Sequence, residues 1–246
     1  MLSLSVDNQM CFVIIYIVDN SMNGGENVGY FVSSLSELLA RFFVIFTAIT
    51  VHEYAHGLAA YKLGDPTAKY AGRLSLNPLK HLDPWGALCM LIFRFGWAKP
   101  VPINPMYFKD RRRDSAITAL AGPLANIFLA FLSTIIYALF FVFVYMKHTN
   151  FFTMFINTLF VQLALVNISF AIFNLIPFPP LDGSKILGAF LSYENYNKLL
   201  NYERIGFPIL ILLSITGFLG RILSLFINPI IMLWNTALNG LINLLL

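Results

Sequence analysis

The stretch Val51-His52-Glu53-Tyr54-Ala55-His56-Gly57 decides how the chain is read. Two histidines four residues apart lie on one face of an α-helix, so both imidazoles can reach a single zinc ion. The glutamate between them then stands beside the water that such an ion activates, where it can take that water's proton. The setting is unusual for a hydrolase. Residues 31–51 carry only Glu37 and Arg41 as charges, so the motif lies within or at the edge of a bilayer. That combination points to hydrolysis inside the membrane.

Composition agrees. Of 246 residues, 58% are hydrophobic and only 11% charged, with a mean hydropathy of +0.73. Soluble domains carry about 25% charged residues, so the expected class is an all-α polytopic membrane protein. Cys11 and Cys89 form no CxxC pair and no disulfide framework. Ten of the sixteen Lys and Arg fall between Lys62 and Arg113, among them Arg111-Arg112-Arg113. A basic loop between spans accounts for this cluster better than a nucleic-acid surface does, and no nucleic-acid partner is expected. No secretory signal is evident: the first ten residues lack positive charge and the apolar run 11–18 is short. Residues 1–30 read as an N-terminal extension, with Met22 an alternative start.

Apolar runs predict spans at about 36–60, 115–146 and 151–176, each long enough to cross. The stretch 205–246 is broken by Gly217, Gly220, Arg221 and Asn228-Pro229, and reads as one span with an interfacial helix or as a hairpin of two. The expected organisation is therefore a core over 31–227, followed by a membrane or interfacial helix over 228–246. Gly64-Asp65-Pro66 stops the helix that carries the motif. Residues 68–76 alternate weakly and predict a short β-strand or hairpin. Residues 85–93 suit a re-entrant or interfacial helix. His81 and His148 fall in loops without ligand spacing and are expected to be solvated.

Charge topology locates what the motif lacks. The basic loop 62–114 should be cytoplasmic, which puts His52 and His56 toward that side. The next two spans go out and return, so the chain just after Ile176 lies level with the histidines. There stands Asn174-Leu175-Ile176-Pro177-Phe178-Pro179-Pro180-Leu181-Asp182-Gly183. Its three prolines unwind the span, and irregular backbone at membrane depth is tolerated only where protein or a water-filled cavity satisfies it. Asp182 becomes the candidate third ligand. Two histidines and a carboxylate leave one position open for water, as in catalytic rather than structural zinc sites.

Together, His52-Glu-Tyr-Ala-His56, Gly122-Pro-Leu-Ala-Asn126 and the Asn174–Gly183 segment resemble the site-2 protease family of intramembrane zinc metalloproteases. Gly72-Arg-Leu-Ser-Leu-Asn-Pro78, followed by His81-Leu-Asp-Pro-Trp-Gly86, is similar to its small bacterial and archaeal members, which lack a PDZ or regulatory domain. The resemblance covers roughly residues 36–225. It implies one zinc ion on His52, His56 and Asp182, with Glu53 activating water. It also places Asn174 to polarise the scissile carbonyl or orient substrate. Asn126 is a candidate for the same task, with helix–helix contact an equal alternative. Substrates would be transmembrane proteins or peptides, held in an unwound state by edge pairing with the strand over 68–76.

Two other functions fit an intramembrane His and Asp set: a metal-ion transporter, and an inactive scaffold of the same fold. The first asks for further ligands along a path through the bilayer, and the second for a missing site residue. A protease of another family would use Glu194 or Glu203 as ligand. A membrane di-iron oxygenase needs more than the four histidines present.

Overall fold

The computed structural model describes residues 11–14, 27–86 and 95–246. Helix α1 (Asn27–Lys62) carries the H-E-x-x-H motif in its last three turns. It ends where Gly64 adopts φ +107°, a conformation glycine enters freely and other residues do not. The amides of Leu63, Gly64 and Asp65 fold back onto the carbonyls of Ala59, Ala60 and Tyr61, closing the last turn.

Helix α2 (Thr67–Tyr70) follows at once, and residues 71–76 are turns and bends. The strand or hairpin expected over 68–76 is therefore absent. The Asp65 carboxylate accepts from both the backbone amide and the hydroxyl of Thr67, which starts a helical turn. Local capping outweighs a weak alternation of apolar residues. The extended pairing that does occur joins β1 (Cys11–Ile14) to β2 (Phe95–Ala98), antiparallel, with Cys11 opposite Ala98 and Ile14 opposite Phe95. Those strands are far apart in sequence and make no hairpin. The re-entrant helix expected over 85–93 falls, from residue 87 onward, outside the described residues.

Helix α3 (Arg111–Phe140) is capped by Asp110, whose carboxylate accepts from the amides of Arg112 and Arg113. A π-helical turn extends it to Tyr145. Helix α4 (Phe151–Leu175) begins at an Asn150–Thr153 capping box and returns alongside α3. Helices α1, α3 and α4 pack on one another as the centre of the bundle. After α4 come the proline loop, the short helix α5 (Asp182–Gly188), α6 (Tyr193–Ile215) and α7 (Phe218–Leu245).

Among the described residues, four helices are long and apolar enough to cross a membrane: Ala40–Lys62, Arg111–Tyr145, Phe151–Leu175 and Phe218–Leu245. The chain is a multi-pass membrane protein. In the stretch 205–246 the structure has one such span and a shorter apolar helix, Ile205–Ser214. Helix α7 runs through Asn228-Pro229 unbroken. Its first half closes a cluster of Leu219, Leu223 and Ile227 with Phe173, Leu181 and Leu210, which holds the proline loop against the bundle.

Candidate active site

His52 and His56 face α3 and α4 from α1, and both are buried. The helix behind them must pass very close. A Cβ on Gly122 would lie 2.5 Å from the His56 ring and 2.6 Å from that of His52, so α3 carries no side chain there. The His52 ring also lies 4.8 Å from that of Phe170 on α4.

Each imidazole is oriented through Nδ1. His56 Nδ1 donates to the Thr118 carbonyl at 2.7 Å, and His52 Nδ1 to Asn126 Oδ1 at 2.6 Å. Both partners are oxygens that can only accept, so Nδ1 carries the proton and Nε2 is left bare. The Asn126 amide is fixed in turn. Its Nδ2 donates to Ala48 O at 3.1 Å and to Asn167 Oδ1 at 2.6 Å, and Asn167 Nδ2 donates to Leu163 O at 2.7 Å. Three helices thus set the direction of one ring.

Asp182 arrives from the loop. A Cβ on Gly183 would collide with the carbonyl oxygens of Leu175 and Ile176, so glycine lets the first turn of α5 tuck under the end of α4. Gly206 on α6 likewise gives room to the Pro179 carbonyl, bracing the loop from outside. Asp182 Oδ2 lies 3.1 Å from His52 Nε2 and 3.2 Å from His56 Nε2, and the two Nε2 atoms are 2.9 Å apart.

This triangle fits a metal ion. Bonds of about 2.1 Å at tetrahedral angles separate ligand atoms by roughly 3.4 Å. Two bare nitrogens and a carboxylate oxygen aimed at one another repel unless a cation lies between them, and Asp182 Oδ2 has no hydrogen-bond donor. Among the described residues, His52, His56 and Asp182 are the one group of potential ligands near enough to share an ion, all within 4.8 Å. Glu194 is exposed and paired with Lys198 at 2.6 Å, outside this group.

Glu53 is buried on the same turn as the histidines, and its Oε2 accepts from the Val101 amide at 2.7 Å. The loop around it is tied together. Arg73 Nη2 donates to Lys99 O and Pro100 O at 2.5 and 3.0 Å, and the Lys99 amide donates to His81 O at 2.9 Å. Asp65 Oδ2 accepts from the Asn104 amide at 2.6 Å. His81 is buried, contrary to the expectation of a solvated ring, because its Nε2–H is taken up by Ser75 O at 2.8 Å. His148 is exposed.

Asn174 is buried and donates through Nδ2 to Phe170 O at 3.0 Å. Asn126 is fully buried and has both amide atoms engaged. Asn167 was missed in the sequence, although an amide in an apolar span is a signal that something polar needs it. Val101 was also missed, and nothing marked it, since it acts through its backbone.

A model of peptidase family M50 matches residues 40–215. The chain is 37% identical over 172 residues to "Putative zinc metalloprotease YwhC" of Bacillus subtilis, covering 70% of this chain and 78% of that protein. It is 31% identical over 179 residues to "Putative zinc metalloprotease Rip2" of Mycolicibacterium smegmatis, covering 71% and 66%. No solved structure matches it. The matched region includes both histidines, Glu53 and Asp182, and with them the chain belongs to peptidase family M50, the site-2 protease family.

Proposed function

We propose that the protein is an intramembrane zinc metalloprotease that cleaves peptide bonds in or near transmembrane segments of other membrane proteins. The observation that carries this is the convergence of His52 Nε2, His56 Nε2 and Asp182 Oδ2, each stripped of any other partner, inside a bundle of spans. A zinc ion held there supplies Lewis acidity to the substrate carbonyl and to a water. Glu53 accepts the proton of the attacking water and returns it to the leaving amine. The Val101 amide keeps the Glu53 carboxylate turned toward the loop wall of the site.

Asn126 supports this chemistry by fixing the His52 tautomer, since its amide is fully engaged in doing so. Carbonyl polarisation falls instead to Asn174, which spends one amide hydrogen on Phe170 O and keeps a second. The basic loop between the first two spans supports a site that faces the cytoplasm.

The test uses the reconstituted protein and its Glu53→Gln variant. Zinc content should be unchanged while proteolysis falls to background. Comparing membrane proteomes of cells carrying each form should then reveal single-span fragments present only with Glu53. Retained cleavage by the variant overturns the mechanism.

A further inference from the structure

Helix α7 carries a polar line that nothing in the described structure covers. Arg221, Leu225, Asn228, Met232, Asn235 and Asn239 recur at alternating spacings of four and three residues, so they form one narrow seam. All six are exposed, Leu225 and Met232 to 73% and 71%. Nearby hydroxyls are satisfied inside the helix, Ser224 by Arg221 O and Thr236 by Met232 O. The three asparagine side chains make no hydrogen bond among the described residues.

The helix crosses the membrane rather than lying on it. Leu223 and Ile227 pack beside Phe173 and Leu181, near the depth of the metal ligands. Seven residues further on, Trp234 Nε1 donates to Thr134 Oγ1 at 2.6 Å. Thr134 lies eight residues beyond Asn126 on α3, about 12 Å along the bundle at 1.5 Å per residue. A helix lying in the interface would keep one depth, whereas α7 follows α3 away from the site. Asn228 and Asn235 therefore face hydrocarbon, where a bare amide is unfavourable and is relieved by an interhelical hydrogen bond.

We propose that this seam is a dimer interface, and that a second copy of the chain occupies it. All copies enter the bilayer in the same orientation, so two α7 helices meet parallel and each seam residue faces itself across a two-fold axis. A carboxamide is both donor and acceptor and pairs with its own copy at equal depth. A 4–3 spacing keeps such contacts in register along a left-handed pair, and polar seam residues fix that register. Arg221 stands near the start of the helix, where its long side chain can reach the interface.

The test is disulfide crosslinking of the full chain in membranes, in a background with Cys11→Ser and Cys89→Ser. Single cysteines at Asn228, Met232, Asn235 and Asn239 should give a dimer of twice the chain's mass. Phe226→Cys and Leu233→Cys, on the other faces, should give several-fold less. The double variant Asn228→Leu, Asn235→Leu should reduce the dimer several-fold. Leucine is favoured in lipid, so this loss is not a folding failure. Equal crosslinking on all faces, adducts only with another protein, or a dimer indifferent to the leucines would overturn the proposal.

Discussion

The two walls of the catalytic site are built in different ways. On one side, α1, α3 and α4 hold the ligand rings by hydrogen bonds that run from helix to helix: His52 to Asn126 to Asn167, and His56 to the Thr118 carbonyl. On the other side, the segments 63–81 and 98–108 form a loop wall tied by two carboxylates, one on α1 and one just past its end. Glu53 accepts from Val101 and Asp65 from Asn104. The helical wall fixes where a metal can sit. The loop wall fixes where the Glu53 carboxylate, the proposed general base, points. Substitutions in the first should therefore act on metal affinity, and substitutions in the second on turnover with metal retained.

The largest expected effect is on the helical wall. Gly122→Val puts branched carbon where even a Cβ lies 2.5 Å from the His56 ring. Neither α3 nor the imidazoles can give way without breaking the Thr118 and Asn126 bonds. Metal binding should be abolished, measured as zinc retained after purification and exchange against a chelator. A variant that keeps full zinc would break the idea that this wall is closely fitted.

Next in size is Asn126→Leu. Removing the acceptor for His52 Nδ1–H frees the ring to rotate or change tautomer, and loss of such a supporting bond costs about 10–100-fold in metal affinity. Asn167→Ala should cost less, because Asn126 keeps its bond to Ala48 O. Cobalt substitution followed by visible absorption would report the ligand geometry in both. If Asn126→Leu instead lowers kcat/KM with metal affinity intact, the residue contacts substrate and the assignment to His52 fails.

The difference between the walls also governs what could be read from the chain. His52, His56, the helix that holds them and the proline loop bearing Asp182 were legible because helix period and proline exclusion act locally. Burial in lipid made long apolar runs legible for a similar reason. The loop wall was not. Its shape depends on acceptors 48 and 39 residues away from the amides they hold, Glu53 for Val101 and Asp65 for Asn104. Short-range alternation over 68–76 suggested a strand, and the bond from the Thr67 amide to the Asp65 carboxylate starts a helical turn instead. His81 looked solvated because it falls in a loop without ligand spacing, and only the fold shows that it is buried against Ser75 O.

On the loop wall, Asp65→Ala should leave zinc affinity unchanged and lower turnover. The buried carboxylate joins the Thr67 turn to the Asn104 amide, and each hydrogen bond to a charged group contributes about 1.5–3 kcal/mol. Without it the segment that carries Val101 loosens, and Glu53 loses its partner. Proteolytic nicking between residues 66 and 104 should rise in parallel. Equal losses of zinc and activity would show that the two walls are not separable.

The smallest effect expected is a pH dependence centred on His81. Burial is the main influence on its imidazole and lowers its pKa, helped by Arg73 and opposed by the Ser75 carbonyl and by Glu53. In the unfolded chain the ring titrates near its ordinary value of about 6.5. The unfolded loop therefore binds a proton more readily than the folded one, and the stability this ring lends is complete above that value and lost as the pH falls below it. Hydrogen exchange at Lys99, whose amide donates to His81 O, should accelerate on acidification through this window. In His81→Gln, which can still donate to Ser75 O but does not titrate, that acceleration should vanish. An unchanged pH profile in the variant would assign the loosening to another group on the loop wall.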